Sequence, residues 1–204
     1  MKKSEAGTFS ILAISPDSNL MGVGVASGAT YVGNRVPHAK PGVGIIVTQA
    51  YTNINYGVKG LELLANGFSP EETLNKLLRE DSEQEVRQVA IMDFKRRKAI
   101  FTGSKAPQWR GEAVGEDNIV IGNLLSSERV VRSMAREFES SSGHLAIRIA
   151  NALKTGSESG GDKRGEKSAA LIVIDREKTR ISVKVGLHAN PIDELLHRLK
   201  AIKE

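Results

Sequence analysis

Cysteine is absent from the 204-residue sequence. Its absence removes disulfides, thiolate nucleophiles and cysteine-ligated zinc, so the fold must stand on its apolar core. Aromatic residues make up only 4% of the chain, too few to build the stacking platforms on which single-stranded nucleic acid is read. Lys and Arg outnumber Asp and Glu by 29 to 24, but the basic residues are scattered along the chain, and no nucleic-acid partner is expected. No apolar run reaches the roughly 18 residues that a membrane-spanning helix needs. The basic start MKKSEAG is not followed by the apolar core and small-residue cleavage site of a secretory signal. A cytoplasmic protein with no membrane partner is therefore expected.

What is present is a 40% share of hydrophobic residues, enough to fill the core of a single domain. TFSILAIS and LMGVGVAS read as strands joined by the turn residues of PDSN, and GVGIIVTQA as a third strand after the loop that holds Pro37 and Pro41. Two helices follow, over residues 56–66 and 70–80. The second is announced by Ser69-Pro70-Glu71-Glu72, a capping box with proline in the first turn. VRQVAIMDF and KAIFTG pair around a basic turn, and NIVIGN adds a strand after a polar loop. Residues 127–139 and 144–153 read as amphipathic helices, the latter running into the loop TGSESGGDKRGEKS. AALIVID and RISVKVG are the last strands, and a final helix is capped by Asn190 with Pro191 in its first turn.

The order βββ, αα, βββ, αα, ββ, α calls for antiparallel hairpins with helix pairs on the outside. The expectation is an α+β fold, a four-layer α-β-β-α sandwich of two antiparallel sheets, in one domain over residues 8–204 behind a leader of residues 1–7.

Several apparent motifs fail on context. The glycines of LMGVGVASG alternate with valine inside a strand and open no helix, which excludes a dinucleotide fingerprint and leaves close packing. GGDKRGEKS leads from helix to strand, the reverse of a phosphate loop. His38, His144, His188 and His197 have no spacing that sets two on one helix face, so no metal and no cofactor are expected. Ser126 and Ser127 precede a helix, where serine is a cap.

The chemistry points to Thr8. A threonine hydroxyl is a weak nucleophile until a base takes its proton, and one available base is the residue's own α-amine, with a pKa of about 8. That works only if threonine is residue one. Lys2 is bulky, so removal of Met1 does not lead to Thr8, whereas cleavage of Gly7–Thr8 would expose it. Glycine tolerates the strained backbone such a cleavage needs. The competing reading is an ordinary strand start, where β-branched threonine is favoured.

The blocks TFSILAIS with VGVAS, GVGIIVTQAYTNINYGVKGLELLANGFSPEE, RQVAIMD, FTG, IGNLL, GGDKRGEKSAAL and HANPIDEL resemble, almost end to end, the domain-of-unknown-function family numbered 1028. That family is placed among the N-terminal-nucleophile (Ntn) hydrolase folds. The resemblance implies this fold and sets Thr8 at the position of the attacking residue. Many members place threonine directly after the initiating methionine, and the stretch Lys2 to Gly7 departs from that pattern.

Around Thr8, Ser27 is expected as a hairpin neighbour within reach of its amine or hydroxyl. Lys40 resembles the position where proteasome-like relatives keep a lysine, a cation that would depress the amine's pKa; the other reading is a solvated loop lysine. Asn123 is a candidate oxyanion donor, and Gln49, Tyr51 and Asn53 place amide and hydroxyl groups at a strand end. Asp162, Lys163 and Arg164 put three charges between glycines, a set that could bind substrate. His188 is assigned a surface or capping role. The function expected is an amidohydrolase or peptidase acting on a small polar amide, in a homo-oligomer. The alternative is a catalytically silent protein that binds a small anionic ligand or acts as an oligomeric scaffold.

Overall fold

The structure, a computed structural model, describes residues 7–202. Of the expected leader, residues 1–6 lie outside the described residues. The strands are β1 (Thr8–Ile14), β2 (Met21–Ser27), β3 (Pro37–Lys40), β4 (Gly44–Ala50), β5 (Arg87–Asp93), β6 (Lys98–Thr102), β7 (Gly111–Val114), β8 (Asn118–Asn123), β9 (Ser168–Ile174) and β10 (Thr179–Val185). The helices are α1 (Asn55–Ala65), α2 (Pro70–Arg79), α3 (Arg129–Ser140), α4 (Leu145–Glu158) and α5 (Pro191–Ala201).

The strands pair antiparallel in two sheets, one ordered β10-β9-β2-β1-β8-β7 and the other β3-β4-β5-β6. Helices α3, α4 and α5 cover the outer face of the larger sheet, and α1 and α2 that of the smaller. This is the expected four-layer α-β-β-α sandwich of two antiparallel sheets. Strand periodicity builds it directly. In β1, Phe9, Ile11 and Ala13 pack with the α3 to α5 layer, while Leu12 and Ile14 join Ile45, Val47 and Met92 between the sheets. A third cluster, with Ile46, Leu74 and Ile91, lies under α1 and α2.

The capping box forms as expected, with Ser69 and Glu72 bonding each other's backbone at the start of α2. Four details differ. The loop holding Pro37 contains β3, an edge strand whose first residue is the proline, a place where the missing N–H costs no ladder bond. β7 is a four-residue edge strand inside the stretch read as a polar loop. Helix α4 continues through the Gly- and Ser-containing stretch to Glu158. There Gly156 is a close-packing position, since a Cβ on it would sit 2.7 Å from Met134 of α3; tertiary contact outweighs glycine's low helix propensity. Finally, Asn190 stands at the N-cap of α5, but its side chain makes no capping bond. His188 Nδ1 accepts from Asn190 N instead, at 3.0 Å, consistent with a local capping role.

The glycines of LMGVGVASG are explained by α4. A Cβ at Gly22 would meet Ile149 Cδ1 at 2.4 Å, and one at Gly24 would meet Ile149 Cγ2 at 2.5 Å and Leu153 Cδ1 at 3.1 Å. Bare backbone on β2 is what lets the helix settle on the sheet. Gly24→Val is therefore expected to destabilise the fold by about 2–3 kcal/mol through overpacking, seen as a lower urea midpoint with an unchanged slope.

Candidate functional site

The layer between the sheets is apolar along most of its length and polar at one end. Alternation sets this up: Leu12 and Ile14 face the smaller sheet, so Thr8 and Ser10 on the same strand do too. Thr8 pairs with Asn123, Phe9 with Ala26, and Ser27 with Ser168. The register thus lines up Ser168, Ser27, Thr8 and Asn123 across four strands. All four are buried. From the smaller sheet, Gln49 and Gln88 enter the same end, also fully buried.

These groups satisfy one another, as buried polar groups must. Ser10 Oγ donates to Gln49 Oε1 at 2.6 Å, and Gln49 Nε2 donates to Gln88 Oε1 at 2.8 Å and to the Thr8 carbonyl at 3.2 Å. Asn123 Nδ2 donates to Gln88 Oε1 at 3.1 Å, and Gln88 Nε2 donates to the Gly122 carbonyl at 3.0 Å. Asn123 Oδ1 is the exception, a buried acceptor with no hydrogen-bond partner among the described residues. The strands carrying these side chains leave the site abruptly. Ala50, directly after Gln49, and Leu124, directly after Asn123, have φ of 65° and 53°, and each non-glycine residue there costs about 1–2 kcal/mol. Such local strain is concentrated at functional sites.

Above Thr8 lies the carbonyl of Gly7. Its oxygen accepts from Thr8 Oγ1 at 2.6 Å, Ser27 Oγ at 2.5 Å and Arg164 Nη2 at 3.1 Å. Thr8 Oγ1 also lies 3.2 Å from Ser27 Oγ, in position to donate to it. Arg164 is aimed by Asp162, whose carboxylate accepts from Arg164 N and Nε at 3.0 Å and from Nη2 at 2.8 Å. The same carboxylate accepts from Gly28 N at 2.8 Å, and its side chain is 0% exposed. The GGDKRG loop is stitched to the segment after β8. Asp162 bridges Leu125, Lys163 N donates to the Leu124 carbonyl, and Ser126 N to the Gly161 carbonyl. Gly160 and Gly161 supply the φ of 116° and 48° that this approach requires. At the rim, burial and then the charge of Arg164 hold the Arg35 guanidinium below its ordinary range.

The structure therefore gathers Thr8, Ser27, Gln49, Asn123, Asp162 and Arg164 at one end of the sandwich. Lys40 is elsewhere. It pairs with Gly44 at the start of β4, whereas Gln49 lies five residues further along, about 16 Å at strand rise; the cation at Thr8's own carbonyl neighbour is Arg164. Lys163 is exposed, with Nζ 3.4 Å from the Gln108 carbonyl. The backbone carbonyl of Tyr51 and the side chain of Asn53 are tied to an anchor at Arg87 and Asp81. Arg87 Nη1 donates to the Tyr51 carbonyl at 2.7 Å, Arg87 Nε donates to Asp81 Oδ2 at 2.7 Å, and Asn53 Nδ2 reaches Asp81 at 3.5 Å. For Asn123 the unpartnered atom is its acceptor oxygen, so the donors around the Gly7 carbonyl are Ser27 and Arg164 rather than Asn123. Among the described residues no three His, Asp or Glu side chains converge as metal ligands, and no helix is long and apolar enough to cross a membrane.

Sequence reasoning passed over Ser10, Gln88 and Ser168. Ser168 Oγ donates to the Ala29 carbonyl at 2.7 Å and accepts from Val32 N at 3.1 Å, shaping the chain beyond Ser27. Each of the three is a polar residue at an inward position of an apolar strand, and that is the signal that could have found them.

Residues 8–195 match a family of unknown function (DUF1028). A crystal structure of a protein from Silicibacter pomeroyi, itself assigned to DUF1028, is 30% identical and superposes with a TM-score of 0.90 over 97% of this chain and 87% of that one. Anbu (ancestral β-subunit) from Yersinia bercovieri is 11% identical, with a TM-score of 0.45 over 95% of this chain and 93% of that one. No curated protein matches the chain.

The Arg87 to Asp81 anchor gives a pH test. The hydrogen bond from Arg87 is the largest influence holding the Asp81 carboxyl down at about 2, from an ordinary 3.8. A carboxyl depressed by folding stabilises the fold fully above its unfolded value and loses that contribution as pH falls through the folded one. Between pH 4 and pH 2 the wild-type chain should therefore lose more stability than Asp81→Asn, measured by urea unfolding at each pH.

Proposed function

Since the chain belongs to the DUF1028 family, whose function is unknown, its activity must be read from its own site, and we propose that it is an Ntn-type amidohydrolase that activates itself by cutting Gly7–Thr8. The observation that carries this reading is the Gly7 carbonyl, whose oxygen takes three donors while one of them is the hydroxyl of the next residue. A peptide carbonyl in an ordinary strand start needs one or two partners. Two of these donors, Ser27 Oγ and the cationic Arg164 Nη2, remain on the oxygen when Thr8 Oγ attacks, the arrangement that stabilises a developing oxyanion.

The geometry supports a specific proton path. As Thr8 Oγ bonds to the Gly7 carbonyl carbon, its proton passes to Ser27 Oγ, and the Ser27 proton passes to the Gly7 oxygen. The neutral tetrahedral adduct collapses with that proton delivered to the Thr8 nitrogen. The C–N bond breaks and leaves Gly7 esterified on Thr8 Oγ beside a free α-amine. Water then hydrolyses the ester and releases the leader as a carboxylic acid.

In the mature chain the Thr8 amine is the base for its own hydroxyl. Arg164 would keep the amine's pKa low and stabilise the oxyanion of an incoming amide, which is the part first assigned to Lys40. Asn123 Oδ1, buried and unpartnered, is an acceptor suited to the new amine. The substrate class proposed is a small polar amide or peptide. A second reading, a silent protein binding an anion, draws on the two arginines at the rim.

Mass spectrometry separates the two. On incubation the wild-type chain is expected to lose its first seven residues, Thr8→Ala to stay intact, and Ser27→Ala to mature at least about 100-fold more slowly, the scale of lost proton transfer. A wild-type mass that never changes would sink self-activation, and amidase activity retained by Thr8→Ala would remove Thr8 from the chemistry.

A further inference from the structure

The position occupied by Gly7 limits what can be attached to the carbonyl under attack. A Cβ built on Gly7 would lie 2.4 Å from Asp162 Oδ2, 2.7 Å from its Cγ and 2.8 Å from its Oδ1. All three atoms of the carboxyl group are thus inside contact distance. The collision is with a group that has nowhere to go. Asp162 is fully buried in its side chain and accepts from Gly28 N and from three nitrogens of Arg164. Its own backbone N donates to Glu166 Oε1 at 2.9 Å, and its backbone bridges Leu125. On the far side Gly28 is equally confined, since a Cβ there would sit 3.0 Å from Asp162 Cγ and 2.8 Å from the Gly165 carbonyl. Moving the carboxylate far enough to admit a methyl group breaks the bonds that aim Arg164.

We infer that the acyl side of the reaction is glycine-selective: the site accepts a carbonyl whose α-carbon carries no L-configured side chain, and it rejects alanyl and larger L-acyl groups. This rests on the proposed hydrolase reading. The link is geometric. Nucleophile and oxyanion donors are fixed around one oxygen position, so a substrate carbonyl that reacts must take the place of the Gly7 carbonyl, and its α-carbon then falls where the Gly7 α-carbon now lies. Asp162 is the specificity-determining residue, acting by volume on the acyl group and by charge on Arg164. The substrate class narrows from small polar amides to glycyl amides, including peptides cut after glycine.

Two measurements test this with the full chain. Gly7→Ala should release the leader at least about 30-fold more slowly than wild type, the expected scale for overpacking against a fixed group. Because Gly7→Ala could disturb folding, the wild-type chain after maturation is also given N-acetylglycyl p-nitroanilide and N-acetyl-L-alanyl p-nitroanilide. The glycyl compound should be cleaved at least about 30-fold faster in kcat/KM. Equal cleavage of the two, or maturation of Gly7→Ala at the wild-type rate, overturns the selectivity and leaves the hydrolase reading standing. A wild-type chain that neither matures nor cleaves either anilide removes the hydrolase reading and the selectivity with it.

Discussion

The buried carboxylate of Asp162 is the group on which one end of this protein is organised. A carboxylate taken fully out of water costs several kcal/mol unless charge and hydrogen bonds compensate it. Here compensation comes from Arg164 and from the backbone of Gly28. Those two partners belong to the loop before β9 and to the end of β2, and Arg164 reaches on to the Gly7 carbonyl ahead of β1. One ion pair therefore fixes three segments that are far apart in sequence. Its worth lies in placement more than in net stability, because the desolvation of the buried Asp162 carboxylate offsets much of what its partly exposed partner Arg164 returns.

The second organising feature is the gradient along the inter-sheet layer. Leu12, Ile14, Val23, Val25, Ile119 and Ile121 fill it with carbon. One step further along the same strands stand Ser10, Thr8, Ser27 and Asn123. The polar end is closed by the buried side-chain amides of Gln49 and Gln88, so fixed dipoles surround Thr8 in a low-dielectric setting. Charge interactions there are stronger than at the surface, for the same reason that an unpaired group there is expensive.

Much of this architecture was legible in the sequence. The two-faced strands, the Ser69 to Glu72 capping box and the antiparallel block order point to the four-layer sandwich, and of the candidate residues read from the sequence Thr8, Ser27, Gln49, Asn123, Asp162 and Arg164 lie together at one end of it. What escaped depends on contacts between distant segments. β3 and β7 are short edge strands whose sequence is polar enough to pass for loop. Gly156 signals a helix end by composition and is instead the point where α3 touches α4. Lys40 was placed by resemblance and lies at the wrong end of its hairpin, a matter of register that one strand's sequence does not carry. Asp81 and Arg87 claim Tyr51 and Asn53 through an ion pair between a helix end and a strand start, which no local pattern announces.

Strand parity has a consequence for how the chain can vary among relatives. Thr8 faces the inter-sheet layer because it lies an even number of residues from Leu12. Losing or gaining one residue inside β1 would swing Thr8 to the α4 side, away from Ser27 and Asn123, and exchange every core contact of the strand at once. Residues 15–20, which turn the chain from β1 into β2 at the opposite end, carry no such bookkeeping. Length changes should collect in that turn and be purged from the strand, so the spacing between Thr8 and Leu12 is a more exacting signature of this site than the identity of any single residue within it.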